Sequence, residues 1–304
     1  MAAPAISVQG LRKAYGELEA VRGVDLEVAP GEIFAFLGPN GAGKTTTVEI
    51  LEGYRRRSGG EVSVLGRDPS DPDRAWRERI GIVLQSCNLQ PELTVREAVE
   101  QFAGFYASPR PVAETIDQVG LAESAAVRTS RLSGGQQRRL DVALALIGDP
   151  ELLFLDEPTT GFDPSARRQA WDVIAGLREL GKTVFLTTHY MDEAQVLADR
   201  AAIIVRGEIV AEGSPDALAK QTGGGAEIRF RLPAGVALAE LPLAGAEADT
   251  ASGFVVVRTG DPVRALNELT GWAIGRRVDL PGLDVGNPSL EDVYLELTAA
   301  EGDG

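Results

Sequence analysis

The sequence is short of several residue types, and each shortage excludes a class of protein. Cys87 is the single cysteine among 304 residues, so no internal disulfide can form and a reducing compartment is expected. Histidine also occurs once, at His189, and lysine occurs at four positions, Lys13, Lys44, Lys182 and Lys220. No run approaches the roughly 18 apolar residues of a membrane span, so we expect none. The first ten residues lack the charged and apolar regions of a signal peptide, so none is expected.

Positive charge is in deficit as well. The formal net charge is -15 and the sequence pI is about 4.6. A nucleic-acid-binding surface would be basic, and adhesion to an anionic bilayer by charge would need basic residues too. The net negative charge therefore argues against both kinds of partner. Hydrophobic content of 44% and charged content of 25% are those of an ordinary globular protein, and the length allows one large domain or two.

The most informative stretch is a glycine-rich run that lies between an apolar run and a candidate helix. The apolar run, Ile33–Leu37, is typical of a buried strand, and residues 47–51 can continue as a helix. The run itself consists of Gly38, Pro39, Asn40, Gly41, Ala42, Gly43, Lys44, Thr45 and Thr46. Strand, glycine loop and helix in this order can cradle phosphate, with Lys44 on the outer phosphates and the Thr45 hydroxyl on Mg²⁺. By chance such a run arises in roughly one chain of this length in a hundred.

Polar side chains follow three other strand-like runs, in positions where parallel sheets bind ligands. They are Gln85 after residues 79–84, Asp156 and Glu157 after residues 152–155, and His189 after residues 183–187. A single Gln is more often solvated and a lone His more often structural. Two carboxylates at the end of a buried strand are costly without a cation, so Mg²⁺ is the better explanation for Asp156.

Further features accompany these, and the first two are weak evidence when taken alone. Residues Leu132–Gln136, LSGGQ, open a predicted helix and offer a second anion site. Tyr15 could stack on a base, although a Tyr beside a Gly more often packs in a turn. A turn over residues 158–164 contains Asp163, and residues 94–126 form a predicted helical insertion that starts with a Thr94–Glu97 capping pair.

The run Gly223–Gly225 predicts a flexible boundary. Beyond it we expect strands at 228–232, 254–257 and 274–278, a helix at 262–269, and a last helix capped by Ser289. This small α+β part contains no motif that carries chemistry.

As a set, these motifs resemble the nucleotide-binding subunit of an ATP-binding cassette (ABC) transporter, over about residues 5–220. The glycine run matches Walker A, residues 132–136 match the signature and residues 152–157 match Walker B. The resemblance assigns Gln85 to the Q-loop, Asp163 to the D-loop, His189 to the switch histidine and Tyr15 to the base-stacking aromatic. For Gln85, His189 and Tyr15 it therefore favours a functional role over a solvated, structural or turn-packing role. The D-loop has Phe162 where the family usually has Leu, an apolar replacement.

The resemblance implies an α/β fold: a P-loop NTPase cassette with a mixed sheet core and a helical subdomain at about 86–135. The cassette would occupy residues 1–222, and residues 223–304 would form a small accessory or regulatory α+β domain.

It also implies an ATPase that uses ATP and Mg²⁺ and works as a homodimer. The catalytic residues would be Glu157, His189, Lys44 and Gln85, and the metal ligands would be Thr45, Gln85 and Asp156. The nucleotide would be bound by Tyr15, by the glycine run from Gly38 to Thr46, and, across the dimer, by Ser133, Gly134, Gly135, Gln136 and Asp163.

Residues Asn287–Tyr294, NPSLEDVY, are similar to the tail of drug-export subunits of the daunorubicin-resistance type, which work with a separate ABC-2 permease. This implies export of a drug, antibiotic or lipid-like compound from the cytoplasmic face of the membrane, with membrane contact only through the permease and no nucleic acid. An ATP-gated regulator that moves no solute is the alternative, and import is possible in principle. The spacing of 89 positions between Lys44 and Ser133 leaves no room for the coiled coil of DNA-repair relatives. Ribosome-acting relatives carry two cassettes, and a simple P-loop kinase or GTPase would not explain the signature.

Overall fold

The most apolar runs in the larger part of the chain form strands. The computed structural model describes residues 3–83, 90–221, 226–233, 235–243, 245–249, 253–286, 290, 291 and 294. The chain divides into two compact units, residues 1–214 and 215–304. The predicted division, at residue 223, rested on Gly223–Gly225, which lie outside the described residues.

The first unit alternates strands and helices. Its strands are β1 (Ile6–Tyr15), β2 (Leu18–Val28), β3 (Ile33–Leu37), β4 (Gly59–Val64), β5 (Ile80–Val83), β6 (Leu152–Asp156), β7 (Thr183–Thr188), β8 (Arg200–Val205) and β9 (Glu208–Gly213). Its helices are α1 (Lys44–Leu51), α2 (Arg74–Glu78), α3 (Val95–Ala103), α4 (Val112–Gln118), α5 (Gly134–Leu146), α6 (Pro164–Glu179) and α7 (Met191–Leu197). Short 3-10 turns lie at Ala122–Ser124 and Thr129–Arg131.

Two sheets share one core in this unit. The larger sheet has the order β5-β6-β7-β3-β8-β9, parallel except for β9, and the smaller is antiparallel with the order β2-β1-β4. β3 and β7 are buried along their whole length, as expected of central parallel strands covered on both faces. The core cluster combines side chains of both sheets with Val48, Ile50 and Leu51 of α1. This confirms the predicted α/β fold with a mixed sheet.

The helical insertion contains α3, which begins at the predicted capping box: Thr94 accepts from the Glu97 backbone, and the Glu97 carboxylate accepts from the Thr94 N–H at 2.8 Å. α2 was missed at the sequence level, although Asp73 caps it by accepting from the Trp76 N–H at 2.7 Å. The Trp76 ring is buried, and its Nε1–H donates to the Val64 carbonyl at 2.8 Å.

The first two strands are much longer than the sequence pattern indicated. The prediction had strands at 6–8 and 24–28, whereas β1 and β2 form a continuous hairpin from Ile6 to Val28. Charged side chains and register shifts after Val8 interrupt the alternation that would have extended the prediction.

The second unit consists of α8 (Pro215–Gln221), β10 (Ala226–Phe230), β11 (Ala246–Asp249), β12 (Phe254–Thr259), α9 (Pro262–Arg276) and β13 (Asp284–Gly286). The strands form an antiparallel sheet in the order β11-β12-β10-β13, which confirms the predicted small α+β architecture. β11 and β13 were not predicted. Most of the last predicted helix lies outside the described residues.

The strand predicted at 274–278 is wrong. Residues up to Arg276 belong to α9, which Asp261 caps by accepting from the Arg264 N–H at 3.1 Å. Ala265, Leu269 and Ala273 are buried at four-residue intervals, so the helical face continues past the predicted end. Arg277, with φ 57°, ends the helix.

We expect Phe185→Ala to destabilise the first unit by about 3–5 kcal/mol, because the ring lies at the centre of the core. Its centroid is 5.7 Å from that of Phe34, 5.6 Å from that of Phe36 and 5.8 Å from that of Phe154. Denaturant unfolding measures the change. The matched control is Phe105→Ala, since that ring is 64% exposed. Equal losses in the two variants would contradict the placement of the core.

Candidate active site

Three neighbouring parallel strands end at the same edge of the larger sheet. In register, Asp156 of β6 lies beside Thr187 of β7, and Thr187 lies beside Phe36 of β3. The loops after these strands therefore start side by side. They carry the glycine run, Glu157 and His189, which the sequence had placed at strand ends 30 or more residues apart.

The glycine run packs so closely on neighbouring backbone that two of its glycines have no substitute. A Cβ on Gly43 would lie 2.5 Å from the Ala20 carbonyl oxygen, and Gly43 has φ 106°. A Cβ on Gly38 would lie 2.3 Å from the Ile204 carbonyl oxygen. Gly43 is the N-cap of α1, and no side chain caps the helix. The N–H groups of its first turn are thus available to an anion, and the cradle fits a phosphate group.

Lys44 lies inside this loop with its side chain folded back on it. Its Nζ donates to the carbonyl oxygens of Gly38, at 2.5 Å, and Pro39, at 3.1 Å, and the residue is 7% exposed. Burial lowers the pKa of Lys44, while the nearby carboxylates of Glu157 and Asp156 oppose that shift. The loop carbonyls accept from two of the three ammonium donors, which a phosphate would otherwise use.

The hydroxyls after Lys44 differ in their surroundings. Thr45 is exposed, and the Thr46 hydroxyl lies 3.4 Å from the Tyr15 hydroxyl. The Tyr15 ring is 39% exposed at the tip of β1, with Lys13 Nζ 5.0 Å and Arg55 Cζ 5.3 Å from its centroid. A flat ring at the edge of the phosphate cradle can stack on a base.

The two carboxylates after β6 have distinct partners. Thr187 Oγ1 donates to Asp156 Oδ1 at 2.5 Å and accepts from the Glu157 backbone N–H at 3.1 Å. The Glu157 carboxylate lies 3.3 Å from His189 Nδ1 and accepts from the Thr160 hydroxyl at 3.1 Å. Glu157 has φ 44°, in the left-handed region that favours glycine. Its carboxylate is thus held next to His189.

The signature residues form a helix start. Ser133 is the N-cap of α5, with its Oγ accepting from the Gln136 N–H at 3.3 Å, while Gln136 Oε1 accepts from the Ser133 N–H at 2.9 Å. Gln136 Nε2 donates to Ser124 Oγ at 3.1 Å. Both polar atoms of the Gln136 amide are therefore engaged within the chain, whereas Ser133 and Gly134 are exposed.

Asp163 caps the neighbouring helix. Its Oδ1 accepts from the N–H groups of Ser165, at 2.8 Å, and Ala166, at 3.0 Å, at the start of α6. A Cβ on Gly135 would lie 3.4 Å from the Ala166 Cβ, so the starts of α5 and α6 are adjacent. A Cβ on Gly134 would have nothing within 4 Å.

Gln85 lies outside the described residues, so its predicted role stays a prediction. Within the described ranges no group of three or more His, Cys, Asp or Glu side chains could hold a metal ion. Asp156 and Thr45 supply the hard oxygen atoms that Mg²⁺ prefers, and Mg²⁺ is commonly held by one or two protein groups together with substrate phosphates. The donor set therefore fits Mg²⁺ that arrives with a nucleotide.

The sequence is similar to known families and to individual known proteins. The ABC transporter family matches residues 21–160, and the C-terminal domain of ABC transporter domain-containing proteins matches residues 226–289. The chain is 38% identical over 306 residues to the daunorubicin resistance ATP-binding protein DrrA3 of Streptomyces coeruleorubidus, covering 98% of this chain and 97% of that protein. It is 40% identical over 305 residues to the Nod factor export ATP-binding protein I of Paraburkholderia xenovorans (strain LB400), covering 98% of each.

The chain belongs to the ABC transporter ATP-binding family. A solved dimeric cassette, MJ0796 in a post-hydrolysis state with ADP and Pi, is 29% identical with a TM-score of 0.61, covering 69% of this chain and 98% of that one. The predicted family and the ATPase activity are confirmed. None of the helices in the described part of the cassette is long and apolar enough to cross a membrane.

Two functional candidates in the cassette were missed at the sequence level. Arg138 lies on α5, and its guanidinium donates to the carbonyls of Asp156, at 2.7 Å, and Pro158, at 3.1 Å. The sequence offers no signal that separates Arg138 from Arg139 beside it. Only the direction in which each side chain leaves the helix distinguishes them.

The second missed residue is Glu193, which is fully buried in α7. Its Oε1 accepts from the Thr159 hydroxyl at 2.9 Å and from Trp171 Nε1–H at 3.2 Å. Burial raises its pKa, and hydrogen bonds from Thr188, Thr159 and Trp171 oppose that shift. The carboxyl joins the segment after Glu157 to the end of β7, next to His189. In the sequence, the only signal for this role was a Glu placed among apolar residues at helical spacing in the predicted helix.

A cavity of about 490 Å³ lies beside the helical insertion of the cassette. Its lining includes Glu52, Tyr54, Trp76, Phe102, Tyr106 and Asp141. Glu52 is 9% exposed, and within the described part of the chain its carboxyl has no hydrogen bond or ion pair. Burial, with Asp156 and Glu49 nearby, raises the pKa of Glu52 to about 8.

Lys44→Ala should weaken ATP binding by at least roughly tenfold, because one charge-assisted hydrogen bond contributes about 1.5–3 kcal/mol. Isothermal titration calorimetry measures the affinity, and circular dichroism checks that the variant is folded. An unchanged affinity in a folded variant would show that Lys44 stays with the loop carbonyls when nucleotide is bound.

Glu52→Gln should flatten the pH dependence of stability. In the folded cassette the carboxyl keeps its proton up to a pKa of about 8, above its ordinary 4.5. Between these values the folded state holds one more proton, so stability falls as pH rises, by up to about 1.4 kcal/mol per pH unit. Denaturant unfolding from pH 5 to 8 should show this slope in the wild type and a smaller slope in the variant. Glu100→Gln, on an exposed position of α3, is the control; equal slopes in all three proteins would mean that Glu52 is ionised when folded.

Proposed function

We propose that the cassette energises an exporter: two copies hydrolyse ATP and drive a separate ABC-2 permease that moves a drug, antibiotic or lipid-like compound. The observation that carries this proposal is the likeness, over 98% of the chain, to proteins named for daunorubicin resistance and for Nod factor export. That likeness includes the second unit, beyond the part that any ABC ATPase shares.

The residues around the phosphate cradle would bind the substrate. The first-turn N–H groups of α1 would donate to the β- and γ-phosphates, and the Lys44 ammonium would exchange its loop carbonyls for phosphate oxygens. Tyr15 would stack on adenine. Mg²⁺, when bound, neutralises charge on the phosphates, and we assign Thr45, Asp156 and Gln85 to hold it.

Glu157 would take a proton from the water that attacks the γ-phosphate. Its carboxylate lies next to His189, and general-base catalysis of this kind contributes a factor of about 10²–10⁴. Since His189 Nδ1 faces Glu157, the other imidazole nitrogen is the one left to contact the γ-phosphate. Phosphoryl transfer otherwise depends on positioning and on stabilisation of charge.

The signature turn supports a homodimer. Ser133 and Gly134 are exposed at the start of α5, with nothing of the described chain against Gly134. A second cassette would place its nucleotide there, between its own glycine run and this turn. The similarity to a solved cassette that is dimeric and bound to ADP and Pi supports this arrangement. Ser133 and Gly135 would then contact the other copy's ATP, with Asp163 at the same interface. Gln136 would act by holding the turn.

We assign the permease contact to the helical insertion and the cavity beside it. Tyr54 and Phe105 are 69% and 64% exposed there, and Glu52 faces the cavity without a partner among the described residues. A cytoplasmic segment of the permease with a basic side chain would match this acidic, partly apolar surface. The cassette would thus meet the cytoplasmic face of the membrane through the permease alone. The role of the second unit is proposed to be dimer support or regulation.

Glu157→Gln is expected to bind ATP, lose hydrolysis by a factor of about 10² or more, and remain a closed dimer, since only the water-activating group is removed. Size-exclusion chromatography with light scattering should show a dimer with ATP. The control Lys44→Ala/Glu157→Gln should stay monomeric. Normal turnover by the single variant would remove Glu157 from the proposed role.

The same variant tests export. Tagged Glu157→Gln with ATP should capture an ABC-2 permease from detergent-solubilised membranes, as identified by mass spectrometry. Capture should fall when Phe105→Ala is added and vanish with Lys44→Ala. Recovery of soluble proteins alone would favour the ATP-gated regulator.

A further inference from the structure

Arg138 connects the helix that starts at the signature turn to the segment that carries Glu157. It lies five residues after Ser133, a rise of about 7.5 Å along α5. The residue is 8% exposed. Its Nη2 donates to the Asp156 carbonyl at 2.7 Å and its Nε donates to the Pro158 carbonyl at 3.1 Å. These are the carbonyls on either side of Glu157.

The segment between those carbonyls is held in an unfavourable conformation. Glu157 has φ 44°, which costs free energy in any residue with a Cβ. Such a conformation persists only when the surroundings impose it. On one side Thr187 accepts from the Glu157 N–H through both its carbonyl, at 3.1 Å, and its hydroxyl, at 3.1 Å. On the other side the guanidinium of Arg138 holds the chain before and after the residue.

The guanidinium suits this task because its donors are fixed in one plane. Two N–H groups that point to two acceptors define the distance between those acceptors, which a single ammonium does not. Asp141 Oδ2 lies 3.9 Å from Arg138 Nη1, and both side chains are more than nine-tenths buried, which limits the movement of the Arg138 side chain.

The helix that carries Arg138 is itself firmly anchored. The Ser133–Gln136 capping box fixes its first turn, and Leu140, Leu144 and Leu146 are buried along it. The position of the guanidinium is therefore set by the same helix whose start bears the signature residues.

We propose that Arg138 is a positioning residue for hydrolysis: it holds the Glu157 backbone in its left-handed conformation and so aims the carboxylate at the attacking water. The proposal rests on the water-activating role of Glu157 in the proposed function. Arg138 itself touches neither nucleotide nor water in this role.

Arg139 provides a matched control on the next position of the same helix. Its Nη1 donates to the Gly120 carbonyl at 3.0 Å, in the helical insertion. Arg138→Lys and Arg139→Lys thus make the same chemical change at adjacent positions, and only the first removes the two-point contact with the Glu157 segment.

The experiment compares steady-state ATP hydrolysis and thermal unfolding of these variants with the wild type. We expect Arg138→Lys to lower kcat by about ten- to a hundredfold, since small misplacements of a reacting group cost that much. The KM for ATP should stay within about twofold, because the change affects the transition state alone. Arg139→Lys should leave both constants near the wild-type values. Equal kcat values in the two variants, or a loss of Arg138→Lys activity that tracks its unfolding temperature, would overturn the proposal.

A double variant separates positioning from a general structural effect. If Arg138 acts through Glu157, adding Arg138→Lys to Glu157→Gln should not reduce the residual turnover further. A further loss of the same size as in the single variant would contradict the proposal. A failure of the proposed role of Glu157 would give a different result. In that case Glu157→Gln alone would show normal turnover, whatever the effect of Arg138→Lys.

Discussion

Thr187 makes the hydrogen bonds on which the arrangement of the active site depends. Its hydroxyl donates to the Asp156 carboxylate and accepts from the Glu157 N–H, while its backbone pairs with Phe36 and Asp156 on the two sides. One residue thus connects the strand that leads to the phosphate loop with the strand that leads to the carboxylates. Shifting β7 by a single residue would turn its side chains to the opposite face and break both contacts.

Around this sheet edge, several buried ionisable side chains have hydrogen-bond partners. Lys44 donates to two carbonyls, Arg138 donates to two more, and Glu193 accepts from a hydroxyl and an indole. Buried charged groups without such partners would cost several kcal/mol each. Glu52 faces a cavity without such a partner among the described residues, and Glu157, although its carboxylate has partners, has a strained backbone. Both lie where we propose contact with another molecule.

Much of this arrangement follows from the sequence because the central strands have a simple signal. The runs at 33–37 and 152–155 are unbroken and apolar, and a parallel sheet brings their carboxyl ends together, so the glycine loop and the Asp156–Glu157 pair could be placed at one edge. The hairpin from Ile6 to Val28 gave only fragments, because charged residues and bulges break its alternation. The end of α9 was read as a strand, but Gly275, Arg276 and Arg277 separate Ile274 from Val278 and no alternation supports a strand there. The four-residue spacing of the buried Ala265, Leu269 and Ala273 is the helical signal that extends to this end.

The side-chain network was beyond sequence reasoning. Gln136 belongs to the signature, yet its amide is used to cap α5, and a motif alone does not tell a ligand contact from a cap. Arg138 and Arg139 are identical residues at adjacent positions, and the angle of about 100° between them on the helix decides that one supports Glu157 and the other the helical insertion. Gln85 lies outside the described residues, and of the tail at 287–294 only residues 290, 291 and 294 are described, so the roles of both stay predictions.

Gly134 is a glycine that the described part of its own chain does not require. Gly38 and Gly43 are required by their own neighbours, whereas Gly134 lies in an ordinary helical conformation with open space around it. Gly134 is the first residue of α5, and nothing within the described fold requires a glycine there. A stability screen on the isolated chain would therefore see no objection to alanine at this position, although its methyl group would enter the space that we propose the partner's nucleotide occupies.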